Sequence, residues 1–234
     1  MNFTVNYHLK LLWIIPIILF FVCIFDTHAN EKNTKDVVQM NHIQIDKQKK
    51  EIRLKVRLSI TQGILEYLLV SDYGKAYESI FKISNNLPSE LNFALLLIGC
   101  DPMPFKDLEQ SKKDISTIRQ LKRKYPKSFL EINLFYNGKQ IDLKHLINNR
   151  EKAKGQLNWI YTGGLMYKNN KYAGDIELSF IGIWPDPTAP INLISGNGNP
   201  YHGNLGFEMS IKHPEIKKDD DIVMIIKIQE DNKK

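Results

Sequence analysis

Cysteine is nearly absent from this 234-residue chain, with only Cys23 and Cys100 present. No CxxC spacing occurs, so a cysteine-held iron–sulfur cluster or a structural zinc site has no ligands. If the apolar stretch around Cys23 is cut away, one thiol remains and no internal disulfide is open to the mature chain. Histidine is equally sparse. His42, His145, His202 and His213 are scattered with no HExxH or comparable ligand spacing. Ser79 lies in no GxSxG elbow and has no His–Asp partners at recognisable distance. The glycine-rich string Gly196–Gly206 follows neither a Walker nor a dinucleotide pattern. No internal repeat is evident. These absences leave no expected cofactor and no expected metal, and they weigh against an enzyme.

The chain does have an apolar run at its start. Residues 11–25 read LLWIIPIILFFVCIF, preceded by His8 and Lys10 and ended by Asp26. Thr27 and Ala29 then stand at −3 and −1 of a cut after Ala29. A charged end, an apolar middle and small residues at the cut make a signal peptide over residues 1–29. Fifteen residues are short of the roughly twenty that span a bilayer. Lys10 is the only formal charge before the run and Pro16 lies inside it, so an uncleaved N-terminal anchor is the alternative. Val22 and Phe21 before Cys23 do not suit lipidation. The expected location is the periplasm or cell envelope.

Residues 30–50 are a polar lead-in, with a strand beginning between Val37 and Ile45. From Glu51 to Ile60, apolar and polar residues alternate with a period of two, the pattern of a half-buried strand. Ile64–Val70, the turn Ser71-Asp72-Tyr73-Gly74 and Lys75–Ser84 read as a β-hairpin. Leu87-Pro88-Ser89-Glu90 starts a buried helix over about 87–98, closed by Gly99. Residues 106–127 carry eight basic against three acidic residues and a thin apolar stripe, as a surface helix or inserted arm. Asn137-Gly138 marks a hairpin after Phe129–Tyr136. A short helix is expected over 143–150, and strands over 157–162, 167–173, 176–184, 207–211 and 222–228. The proline- and glycine-rich stretch 185–206 reads as a long irregular loop. The predicted fold is α+β: a mainly antiparallel sheet of hairpins over residues 51–229, with one buried helix and one or two short surface helices.

Three stretches resemble the YdjY-type domain family of bacterial envelope proteins. They are Gly63–Val70 with Gly74–Ser79, Pro88–Leu91 with Ala94–Gly99, and Trp159–Gly163 with Tyr172–Asp175. The likeness covers about residues 51–228. It implies an envelope location and no settled activity. Tyr77 stands where the family pattern has histidine, which removes any imidazole role there, since tyrosine is a poor base at neutral pH. The iron–sulfur label some members carry finds no ligands in this chain.

Glu66, Lys75, Tyr77, Glu78 and Ser79 are the candidate binding residues, on the 63–79 hairpin. In hairpin register Val70 faces Lys75 and Glu66 faces Ser79, with Glu78 on the other side near Tyr67. The competing reading makes them structural hydrogen bonds and ion pairs. Trp159, Tyr161 and Trp184 read as core aromatics before a carbohydrate platform, and Cys100 as a buried inert thiol. The expected function is a non-enzymatic binding or interaction module for an envelope protein or small ligand. The alternative is an enzyme of unrecognised type using hairpin carboxylates. Nucleic acid conflicts with export, and membrane contact is expected only through an uncleaved N-terminal segment. N-terminal sequencing of the exported form should start at Asn30; a form starting at Met1 would leave the anchor.

Overall fold

The computed structural model describes residues 36–110, 114–150, 157–194, 201–211 and 215–230. The expected signal or anchor segment, the start of the lead-in, residues 196–200 of the glycine-rich string and His213 lie outside them. Fourteen strands and four helices follow one another along the described residues. The strands are β1 (Val37–Met40), β2 (Ile43–Asp46), β3 (Glu51–Leu58), β4 (Gln62–Leu65), β5 (Tyr67–Ser71), β6 (Ser79–Ile83), β7 (Phe129–Tyr136), β8 (Lys139–Ile141), β9 (Ile147–Asn149), β10 (Trp159–Tyr161), β11 (Ser179–Gly182), β12 (Ile191–Leu193), β13 (Phe207–Ser210) and β14 (Asp221–Ile228). The helices are α1 (Pro88–Leu97), α2 (Phe105–Glu109), α3 (Ile115–Lys124) and α4 (Ala173–Glu177).

Eight strands close a barrel in the order β3-β14-β7-β10-β12-β11-β5-β6, and β6 returns to pair with β3. Most neighbours are antiparallel, but β11 pairs with β12 and β5 with β6 in parallel. This corrects the α+β sheet of antiparallel hairpins. Alternation identifies a strand with one buried face; it carries no information about the partner's direction or about closure. The expected 63–79 hairpin is likewise a parallel crossover. Its turn does form, with Gly74 N–H donating to Ser71 O at 2.9 Å. The chain then runs through a 3-10 turn at Ala76–Glu78, and β6 enters between β5 and β3.

Side chains fill the barrel, as expected for eight strands. Ile52, Leu54, Val56 and Leu58 of β3 are buried while Arg53 and Lys55 are exposed. They share one core with Met224 and Ile226 of β14, Leu134 of β7, Trp159 and Tyr161 of β10, and Ile191 and Leu193 of β12. Ile160, between the two aromatics, faces outward. With Phe129, Ile194, Met103 and Leu108 it makes a smaller cluster, against which Ile118 and Leu121 of α3 pack. A three-stranded sheet, β4-β13-β9, adds Leu65, Phe207, Met209 and Ile147 to the main core.

Expected strands at 51–60, 129–136, 207–211 and 222–228 form within a residue or two. Asn137 and Gly138 turn with φ of 48° and 76°, the left-handed pair such a hairpin needs. Other boundaries move. The 143–150 helix is a 3-10 turn at Leu143–His145 followed by β9. Residues 167–173 contain no strand, only an isolated bridge of Met166 with Tyr172. The loop 185–206 contains β12.

Helix α1 forms as expected, and Pro88, Leu91, Ala94 and Leu95 are buried, while Phe93 and Leu96 are exposed. Glu90 accepts from Leu87 N–H at 2.9 Å, and Asp175 accepts from Ser89 N–H at 2.8 Å, satisfying first-turn donors. Cys100, just beyond the helix, is buried, and burial pushes its thiol up to about 12. Asn86 locks the helix start to the β1–β2 turn. It donates to Met40 O (2.9 Å) and Glu90 Oε2 (2.7 Å) and accepts from His42 N–H (3.0 Å). Asn86→Ala leaves those groups unpaired and should cost about 1–3 kcal/mol, read by urea unfolding. A loss below about 0.5 kcal/mol would show that water replaces the carboxamide.

Candidate functional site

Two parallel strand pairs need two crossover links, and both reach the end of the barrel where Glu66 lies. Residues 72–78 join β5 to β6, and residues 183–190 join β11 to β12. Both meet at Glu66, whose carbonyl accepts from Ile183 N–H (2.8 Å) and Trp184 N–H (3.0 Å), and whose N–H donates to Glu78 O (2.9 Å). Between the links lies a pocket of about 210 Å³ lined by Glu66, Tyr67, Lys75, Trp184, Pro185, Asp186 and Pro187.

The Glu66 carboxylate is buried and accepts from Lys75 Nζ at 2.9 Å. That ammonium also lies 5.7 Å from the centroid of the Tyr67 ring. Burial raises the Glu66 pKa above its ordinary value, and the neighbouring Glu78 carboxylate raises it further, against the opposing pull of Lys75. Lys75 is held above its usual range, chiefly by its bond to Glu66. Tyr67 donates to Asp186 Oδ2 at 3.0 Å, and burial together with Asp186 pushes its hydroxyl upward, so it stays a donor.

Asp186 is itself fixed. Its Oδ1 accepts from Thr188 N–H (2.8 Å) and Thr188 Oγ1 (2.7 Å). Asn192, fully buried on β12, accepts from Asp186 N–H at 2.7 Å and donates to Asp186 O, Ala189 O and Thr162 Oγ1. Gly182 makes room for this carboxamide: a Cβ there would sit 2.8 Å from Asn192 Oδ1. The pocket wall is thus a link tied down by one buried amide.

Of the sequence-predicted residues, Glu66 and Lys75 meet in the pocket. Glu78 lies beside Glu66 and accepts from the Tyr201 hydroxyl. Tyr77 is 68% exposed on the 3-10 turn. Ser79 is sealed in the core, its hydroxyl donating to Phe81 O at 2.7 Å. Tyr67, not Glu66, is the residue opposite Ser79. Trp159 and Tyr161 are core residues, whereas Trp184 is 36% exposed and lines the pocket. Sequence reasoning missed Asp186, Thr188 and Asn192. Asp186 and Thr188 lie in the string Trp184-Pro-Asp-Pro-Thr-Ala-Pro190, whose prolines suggest an irregular loop, and Asn192 follows two residues after it.

The chain has no match among protein-family models, curated proteins or solved structures.

A carboxyl with a raised pKa contributes stability below the ordinary glutamate value of 4.5, and that contribution is lost as pH rises through the folded value. Glu66→Gln removes this loss. The melting temperature of Glu66→Gln relative to the parent should therefore climb as pH rises from about 4 toward neutrality. A flat or falling difference would mean that Lys75 outweighs burial.

Proposed function

We propose that the domain is an exported envelope module that binds a small polar ligand, with the pocket at Glu66 as its binding site. The observation that carries this reading is a buried carboxylate and its lysine partner opening on a pocket walled by Trp184, Pro185 and Pro187. A flat indole and two proline rings suit an apolar ring face. Glu66, Lys75 and Asp186 suit hydroxyl or amine groups at its edge. A pocket of about 210 Å³ takes a single ring, so a monosaccharide unit is the natural probe. The apolar run at 11–25, with small residues at the expected cut, supports export. The YdjY-type likeness supports an envelope role.

A second reading, an enzyme of unrecognised type, is favoured by one observation. Glu78 is tied to Glu66 through the Glu66 N–H to Glu78 O bond of 2.9 Å, which sets two carboxylates side by side as an acid–base pair requires. Both readings use Glu66 and differ in whether the probe is turned over.

The test is saturation-transfer NMR on the purified protein with a panel of monosaccharides and disaccharides. Transfer to at least one sugar is expected, lost in Glu66→Gln and in Trp184→Ala. Transfer that neither substitution changes would place binding elsewhere, and no transfer at all would sink the saccharide assignment. Conversion of the sugar during the experiment would favour the enzyme.

A further inference from the structure

Almost all of the chain's net charge is in one stretch. Residues 106–127 hold eight basic and three acidic residues, a surplus of five out of the chain's six. Helix α3 carries Arg119, Lys122, Arg123 and Lys124 and buries none of its residues fully. Its apolar side, Ile118 and Leu121, rests on the outer cluster of the barrel, so the charged side faces outward. Arg119 and Arg123 have no carboxylate partner among the described residues.

A second group of basic residues lies outside the helix. Lys127 is part of the wall of a cleft of about 1150 Å³, together with Lys47, Lys49, Lys50 and Lys227. Three of these five lysines are neutralised: Lys49 by Asp46 at 3.2 Å, Lys127 by Asp101 at 3.4 Å and Lys227 by Glu51 at 2.8 Å. Glu131 and Glu230 also line the cleft. Lys47 and Lys50 are exposed and have no carboxylate partner among the described residues.

The chain also enters the domain here. Lys47 N–H donates to Asp36 O at 2.9 Å, and Gln48 Nε2 donates to the Asp36 carboxylate. Ten residues, 26–35, separate the apolar run 11–25 from Asp36, and extended they reach about 35 Å at most. Lys32 and Lys35 lie within them, and the C-terminal Lys233 and Lys234 follow Glu230 of the cleft. A bilayer that holds residues 11–25 therefore lies within about 35 Å of chain from Asp36.

We propose that the exposed basic residues of α3 and of the cleft, Arg119 and Arg123 with Lys47 and Lys50, together dock the domain on an anionic lipid bilayer, adding a second membrane contact to the N-terminal segment. The contact is electrostatic and superficial, because Ile118 and Leu121 already pack on the barrel and Ile115 is the one exposed apolar residue of α3. The proposal rests on the alternative reading of residues 11–25 as an uncleaved membrane anchor, and the experiment separates the two. Full-length protein is sedimented with phosphatidylcholine vesicles and with vesicles containing added phosphatidylglycerol, at low and high salt. Binding to phosphatidylcholine alone reports on residues 11–25. The gain on adding phosphatidylglycerol reports on the basic face, and it should be about tenfold or more and vanish in high salt.

Lys47→Glu with Lys50→Glu, and Arg119→Glu with Arg123→Glu, should each remove part of that gain, and the four together all of it. Lys139→Glu with Lys218→Glu is the charge-matched control. Lys139 pairs with Tyr136 and Lys218 precedes β14, at the barrel end away from the Leu130–Ile228 pair. This control should keep the gain. Equal binding to both vesicle types, an equal loss in the control, or tighter retention on a DNA oligonucleotide than on the anionic vesicles would each overturn the proposal.

Discussion

Strands β5 and β6 run parallel although only seven residues join them. Parallel neighbours usually need a crossover of roughly a dozen residues. Here the link turns at Ser71–Gly74, closes a 3-10 turn and lays β6 between β5 and β3. That insertion closes the barrel, because Leu58 of β3 finds Phe81 of β6 as its partner. The return path also brings Lys75 and Glu78 back to Glu66, at the start of β5. Closure and the pocket follow from the same strand direction. A hairpin in its place would leave β3 without β6.

The second parallel pair, β11 with β12, supplies the opposite wall. Its eight-residue link is rich in proline, which limits its backbone donors, and it turns at Pro187–Thr188, where Ala189 N–H donates to Asp186 O at 3.2 Å. Asn192 compensates from the sheet, receiving one backbone N–H and giving two bonds to backbone carbonyls. Asp186 is thereby presented to Tyr67, and Trp184 is left at the rim. The electrostatics of the pocket depend on this rigidity. A buried carboxylate beside a second carboxylate is costly, and here one ammonium and a fixed wall offset the cost.

The legible part of the fold was local. The β3 alternation, the Asn137-Gly138 turn and the Pro88 helix start could be read because each depends on neighbours within a few residues. Strand boundaries around 167–184 could not, because α4 and the bridge of Met166 with Tyr172 depend on packing against α1 and β11 rather than on periodicity. In the site, Glu66 and Lys75 were found together for an incomplete reason. The turn between them is real, but hairpin register sets Lys75 opposite Val70; only the parallel return carries Lys75 back along β5 to Glu66. Hairpin register also misplaces Ser79, since in parallel register it faces Tyr67 and turns into the core.

By itself the sequence determined the apolar start of the chain, the uneven distribution of charge, the positions of most strands and the lack of cysteine ligands. These depend on composition and short-range order. Tertiary structure alone decided strand direction, barrel closure and the meeting of two distant links at Glu66. The reason is geometric. A strand's pattern specifies which face is buried, while its partner and direction are set by which edges remain open when the sheet closes on itself.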